Sequence, residues 1–315
     1  MNTNLSAAKR NKNDEFYTQL TDIENELRHY KDHFEGKVVY LNCDDPQESN
    51  FWMYFYLNFE FLGLRKLIST HYDDIGPTYK LEYLGREVNP DGPVRTELEE
   101  NGDFRSHEAI ELLKESDIVV TNPPFSLFRE YIAQIMEHEK QFLVVGNNNA
   151  ITYKEIFPLL KDGDMWLGYH TNKTMEFRLS PSYERWDRMD DDGHKYGKVP
   201  AISWFTNLDH TKRHDEQILY REYSEEAYPH YDNYDAINVD KVKDIPMDYD
   251  GIMGVPITFM SNFNPEQFEI LGSRRWAKSP ELIDCYRGDV MPPENDKKTL
   301  IGGRETYDRI FIRKR

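Results

Sequence analysis

Cysteine is nearly absent: the 315 residues hold two, Cys43 and Cys285. That excludes a disulfide-stapled scaffold. The pair also lacks zinc-ligand spacing, so no metal site and a reducing, cytoplasmic setting are expected. Long apolar runs are missing too. None approaches the roughly 20 residues that span a bilayer, so no membrane partner is expected. Met1–Asn13 is polar without an apolar stretch, which reads as no secretory signal. Positive charge is in deficit: 39 Lys and Arg stand against 57 Asp and Glu, a formal charge of −18. A chain of that charge repels polyanions on average, so any nucleic-acid contact must come from a local basic face. Material for a core is not lacking. Hydrophobic residues make up 38% and aromatics 14%, a globular composition.

The most informative stretch is Asp117-Ile-Val-Val-Thr-Asn-Pro-Pro-Phe-Ser126. Ile118, Val119 and Val120 form a short β-branched run of the kind buried in a parallel sheet. The strand must stop at Thr121-Asn122, because Pro123 and Pro124 offer no N–H to a ladder. Leu127–Glu137 then reads as a helix with Leu127, Phe128, Tyr131, Ile132 and Ile135 on one face. Asn-Pro-Pro-Phe therefore sits at the carboxyl end of a parallel strand, where open α/β sheets place ligands. An amide side chain, a backbone carbonyl and an aromatic ring are held in one stiff loop. Together they can grip an exocyclic amino group on a planar ring, with two acceptors for its hydrogens and one stacking face.

Upstream, Thr21 with Glu24 three residues on predicts a capped helix to about Phe34, preceded by Phe16, Tyr17 and Thr18. Lys37–Cys43 reads as a strand that ends in Asp44-Asp45-Pro46, with Ser49 or Asn50 capping the next helix. This is a strand, acidic turn and helix, as in a cofactor loop at the first strand of a doubly wound sheet. Glycines are missing from that loop: none stands between Gly36 and Gly63. Arg65–His71 predicts the second strand. It is followed by Asp73, an acid placed to accept from a ribose diol. Thr78–Val88 reads as a hairpin insertion. Asn101-Gly-Asp-Phe-Arg-Ser106 precedes a helix over His107–Lys114, and Lys140–Gly146 predicts a further buried strand.

From Thr171 the texture changes. Thr174–Leu179 and Val199–Thr206 look like antiparallel strands around a charged, aromatic hairpin that carries Arg185, Trp186, Arg188, Lys195 and Lys198. Such a loop suits contact with a nucleic-acid backbone or the gap left by a flipped base. Two further basic patches are Lys9, Arg10 and Lys12, and the C-terminal Arg313, Lys314 and Arg315. Asp215–Asp250 holds eleven acids against three bases and reads as an irregular solvated wrap. Gly254–Met260 and Gln267–Gly272 read as strands, with a last one at Arg309–Arg313.

Asn-Pro-Pro-Phe, Cys-Asp-Asp-Pro with Ser-Asn-Phe beyond it, and Gly-Val-Pro-Ile-Thr-Phe resemble the motifs of EcoRI-type DNA adenine-N6 methyltransferases. The resemblance spans Phe16 to Arg313. It implies an α/β fold: a doubly wound, mostly parallel Rossmann-like sheet with an appended antiparallel and irregular C-terminal region. Residues 1–170 would form the cofactor-binding and catalytic core. Residues 171–315 would complete the sheet and contact DNA without forming an independent domain. The implied cofactor is S-adenosylmethionine, and the implied substrate is a flipped adenine in duplex DNA. Asn122, Pro123, Pro124 and Phe125 would be catalytic, and Asn122 would also touch the cofactor. Phe16, Tyr17 and Thr18 would close over the methionine end of the cofactor. Asp44 or Asp45 would face its amino group, Asp73 its ribose, and Asp103 with Phe104 its adenine. A restriction-modification role beside a nuclease and a monomeric state accompany this reading. Two other readings are a same-fold methyltransferase acting on rRNA or a protein glutamine, and a non-catalytic acidic DNA mimic.

Overall fold

A computed structural model describes residues 16–73, 75–181, 183–287 and 298–315 of the chain. Lys9, Arg10, Lys12 and Asp74 lie outside the described residues. The chain packs as two compact units, Met1–Asn148 with Leu167–Asp209 and Asn149–Trp166 with His210–Arg315.

The first unit is organised by an eleven-stranded sheet. Its strands are β1 (Phe16–Thr18), β2 (Val38–Leu41), β3 (Lys66–His71), β4 (Tyr79–Tyr83), β5 (Val94–Glu97), β6 (Ile118–Thr121), β7 (Gln141–Asn147), β8 (Trp166–Leu167), β9 (Lys173–Leu179), β10 (Arg188–Met189) and β11 (Lys195–Thr206). The order is β1-β9-β11-β7-β6-β2-β3-β4-β5, with β8 and β10 paired onto β11. The helices are α1 (Leu20–Leu27), α2 (Asn50–Leu57), α3 (Phe59–Leu62), α4 (His107–Glu115) and α5 (Phe128–Glu137).

Only the central four strands, β7-β6-β2-β3, run parallel. The flanking pairs along that path are antiparallel. The sheet is therefore mixed, where a mostly parallel one was expected. A parallel pair needs a crossover of a dozen or so residues, usually a helix. Helices are available in that centre: α2 and α3 between β2 and β3, and α5 between β6 and β7. At the margins the chain turns back through segments without an α-helix, so β3-β4-β5 and β9-β11 fold as hairpins. The centre is apolar because it is covered: every residue of β2 and β6 is buried.

Several boundaries differ from expectation. Helix α1 begins at Leu20 behind Gln19, which makes no side-chain cap, and it ends at Leu27; Thr21 is inside it. Ser49, not Asn50, caps α2, accepting from the Phe51 N–H at 3.1 Å. On the side away from β3, β4 pairs with Val94–Glu97, beyond the expected hairpin.

The second unit holds a four-stranded sheet in the order β12 (Ile237–Asn238), β13 (Met253–Pro256), β17 (Arg309–Lys314) and β14 (Phe268–Ser273). A small ribbon, β15 (Leu300–Ile301) with β16 (Arg304–Glu305), accompanies it, as do α6 (Phe157–Asp162) and α7 (Pro280–Asp284). Strand β13 stops at Pro256 and gives way to a 3-10 turn over Ile257–Asn262, earlier than the expected Met260. Proline ends the ladder because it has no N–H to donate. Asp215–Asp250 is largely irregular, yet Tyr228, Tyr231 and Tyr234 within it are buried. Tyr234 packs on Phe311 at 4.9 Å between ring centres.

Candidate active site

In the first unit the strand order reverses at β2, with β3 on one side and β6 on the other. Open α/β sheets have a crevice at such a switch point, outside the carboxyl ends of the strands. A cavity of about 400 Å³ lies there, and it is lined by the segments following β2, β3 and β6, by Gly102–Arg105, and by β1. That volume is within the range of roughly 300–1,000 Å³ typical of small-molecule sites. Phe16, Tyr17, Asp44, Asp45, Asp103, Phe104, Asn122 and Pro124 all line it.

The loop after β6 is the most constrained part. The Asn122 Nδ2 donates to the Phe16 carbonyl, and its main-chain N–H donates to the Asp44 carboxylate. Its Oδ1 is buried and has no hydrogen-bond partner. A buried amide oxygen without a donor costs roughly 1–3 kcal/mol, so an unpaired acceptor on a cavity-lining residue signals a ligand. Pro123 is buried. Pro124 gives its carbonyl to the Leu127 N–H at 2.9 Å, which begins the turn into α5. Phe125 is half-buried and does not line the cavity. Its ring stacks on Phe16 with centres 5.7 Å apart and meets Phe177 edge-on at 6.3 Å.

Strand β1 is held by pairing Phe16 with Leu179 and Thr18 with Phe177. This places Phe16 and Tyr17 at the cavity, with the Arg178 guanidinium over the Tyr17 ring at 4.9 Å. Thr18 points elsewhere: it is buried, its hydroxyl oxygen is unpaired, and its carbonyl accepts from Asn50.

Asp44 is 6% exposed and accepts from the hydroxyls of Ser49 and Thr121. Burial pushes its carboxyl up to about 7, even though those donors and the Asn122 N–H pull the other way. Asp45 is more open. It accepts from the Gln47 N–H at 3.0 Å and lies 3.2 Å from the His71 ring nitrogen.

Asp73 does not line the cavity. Its carboxylate accepts from the N–H groups of Ile75 and Gly76, which hold its pKa below the usual range. Tyr72 and His71 line the wall beside it. Asp103 does reach the cavity. Burial alone would raise its pKa, but Arg105, at 2.7 and 2.8 Å, holds it down. Gly102 before it has φ +74°, and a Cβ there would meet the His71 carbonyl at 2.3 Å, so only glycine fits. Phe104 is buried edge-on against Tyr131, whose hydroxyl donates to Asn42 at 2.5 Å.

Sequence reasoning missed Asn42, Thr70, His71, Tyr72, Arg105 and Leu127. Each is a neighbour of a recognised motif. The end of a strand that carries one ligand residue exposes adjacent ones, and this is the signal that could have found them.

Of the basic residues, Arg188 is bound to Glu176 and stacked over Tyr196, while Lys195 donates to the Pro181 and Tyr183 carbonyls at 2.7 Å. Lys195 also sits over the half-exposed Trp186. Arg185 and Lys198 are exposed. In the second unit Arg313 pairs with Glu269, Lys314 donates to the Met247 carbonyl, and Arg315 donates to the Phe268 carbonyl. Among the described residues no helix is long and apolar enough to cross a membrane. Cys43 and Cys285 are both free thiols.

Residues 4–315 match the family described as "Adenine-specific methyltransferase EcoRI". The chain is 48% identical to the Type II methyltransferase M.EcoRI of Escherichia coli, covering 98% of this chain and 95% of that one. It is 41% identical to the Type II methyltransferase M.MpnI of Mycoplasma pneumoniae, over 99% and 98% of the two chains. It is 38% identical to the Type II methyltransferase M.MgeORF184P of Mycoplasma genitalium, over 98% of each. No solved structure gives a significant match. Sequence motifs, a switch-point cavity and full-length similarity converge: the chain belongs to the EcoRI family of adenine-specific methyltransferases.

Proposed function

We propose that the protein transfers a methyl group from S-adenosylmethionine to N6 of an adenine flipped out of duplex DNA. The observation that carries this reading is Asn122, whose Nδ2 donates to Phe16 and main-chain N–H to Asp44 while its Oδ1 stays buried and unpaired on a residue of the cavity wall. An acceptor without a donor is what an exocyclic amino group requires. The base must leave the stack because its amino group is buried in the duplex.

The cavity fits the cofactor. Asp45 and Asp103 supply negative charge for a cationic ligand, and Phe16, Tyr17 and Phe104 supply apolar faces. When bound, S-adenosylmethionine supplies an electrophilic methyl on a sulfonium. Asp44 or Asp45 faces its amino group, and Asp103 accepts from its adenine amino group. Asn122 Oδ1 and the Pro123 carbonyl accept the hydrogens of the target amino group. This draws the nitrogen toward tetrahedral geometry and aims its lone pair at the methyl. Phe125 offers the flipped base a ring already held by Phe16 and Phe177. As the new C–N bond forms the S–CH3 bond breaks, leaving a neutral thioether, and the methylated nitrogen releases one proton to water; positioning supplies most of the rate, and no strong base is needed.

The parallel strands β7-β6-β2-β3 serve as the Rossmann-like, doubly wound part, within a core formed by residues 1–170. Residues 171–315 complete the sheet and meet DNA. In the first unit the exposed Arg185, Trp186 and Lys198 lead that contact, with Arg188 and Lys195 on the same hairpin; Arg313, Lys314 and Arg315 are the candidates of the second unit. We infer a cytoplasmic monomer, functionally paired with a restriction endonuclease. The test is incubation with radiolabelled cofactor and duplex DNA, RNA and cell protein in parallel. Label is expected in DNA as N6-methyladenine; label confined to RNA or protein overturns the substrate, and none at all overturns the activity.

A further inference from the structure

We propose that Thr121 and Ser49 are positioning residues: they pin the buried Asp44 carboxylate, which in turn fixes the main chain at Asn122 beside the cavity. The inference rests on the role given to Asn122 above.

Asp44 and Thr121 stand 77 residues apart, at the ends of the adjacent parallel strands β2 and β6. Thr121 is fully buried and donates its hydroxyl to Asp44 Oδ2. Ser49 donates to Oδ1 at 3.0 Å and at the same time caps α2 by accepting from Phe51. The next residue after Thr121, Asn122, adds its main-chain N–H to the same carboxylate. The Asp44 carbonyl is tied as well, accepting from Ser69 of β3 at 2.8 Å. One carboxylate thus joins the loop after β2, the start of α2 and the end of β6. Burying an acid is costly unless donors surround it. Here three donors do so, and two of them come from the segment that carries Asn122. If Asp44 served only to face a ligand, there would be no need to commit both of its oxygens to side chains of the scaffold. As a strut, it holds the amide of Asn122 where its Oδ1 must be. A displacement of about 1 Å at a reacting centre can cost around a hundredfold in rate.

Thr121→Val keeps the β-branched shape and deletes the hydroxyl; Thr121→Ser keeps the hydroxyl. Single-turnover transfer to duplex DNA and cofactor affinity by calorimetry are measured for both, with Asn122→Ala alongside. Thr121→Val is expected to slow transfer about 10- to 100-fold with cofactor affinity changed less than about twofold, and Thr121→Ser to restore most of the rate. If valine does not yield folded protein, Thr121→Ala is measured in its place with the same expectation. The parent rate in Thr121→Val beside an inactive Asn122→Ala overturns the strut alone, and so does an affinity loss that accounts for the whole rate loss. A near-parent rate in Asn122→Ala overturns the catalytic reading on which the strut depends.

Discussion

The loop after β6 and the strand β17 both stand out in the sequence, one for its motif and the other for its charge. The structure treats them oppositely. At Asn122 the main-chain N–H and the Nδ2 both donate, and one buried acceptor is left over. Along β17 the cations of Arg313, Lys314 and Arg315 are shared with Glu269 and with main-chain carbonyls of their own unit. An unsatisfied buried group is a standing cost that a bound ligand can repay. A satisfied surface pair is worth roughly 0–1 kcal/mol and asks for nothing. The difference teaches that in an acidic chain the balance of hydrogen bonds points to the site better than the tally of charges does.

The largest effect should come from breaking the first side of that comparison. Asn122→Ala is expected to lower single-turnover methyl transfer by on the order of a thousandfold, the scale of losing one preorganised partner. Cofactor and DNA binding should survive, because other residues carry them. Transfer at near the parent rate would reduce the loop to a proline-capped strand end.

A smaller loss is expected at the opposite wall. Asp103→Ala should weaken binding of S-adenosylmethionine by about 1.5–3 kcal/mol, the range for a hydrogen bond to a charged group. Calorimetry showing unchanged affinity, with the fold intact, would remove Asp103 from the cofactor site.

Asp44 sharpens the comparison through pH. Its carboxyl titrates at about 7 in the folded chain, because burial outweighs its donors. In the unfolded chain it titrates near the ordinary value of about 3.9. Between those values the folded state holds a proton that the unfolded state has released, so this group lowers stability as pH rises through that window. Asp44→Asn should therefore lose less Tm than the parent between about pH 4 and pH 8. Parallel curves for the two proteins would show that Asp44 does not titrate there.

The smallest effect tests the charged side. Lys198 is exposed, whereas Arg313 is paired with Glu269 at 2.8 Å. Lys198→Ala should reduce the slope of log affinity for DNA against log salt by about 0.9, the contribution of one phosphate contact, and Arg313→Ala by less. The reverse order would move the DNA contact from the hairpin to the C-terminal strand.

What the sequence determined alone is local in origin. Pro123 and Pro124 end β6 wherever that strand lies, because neither has an N–H for a ladder. Gly102 was legible as part of a ligand motif, and the structure adds the reason: a positive φ, with a carbonyl where a Cβ would be. The apolar run of β6 and the amphipathic α5 followed from residue spacing. Tertiary structure decided whatever depends on which distant segments meet. The sheet is mixed because its margins return as hairpins, and local periodicity does not encode strand direction. Asp73 closes its own turn while Tyr72 faces the cavity, an orientation set where the turn meets Asn101. Phe125 rests on Phe16, and Asp44 is buried against Thr121, across separations that no motif spans. Chain order dictated the loops, but only packing could settle which of their polar atoms would be left without a partner.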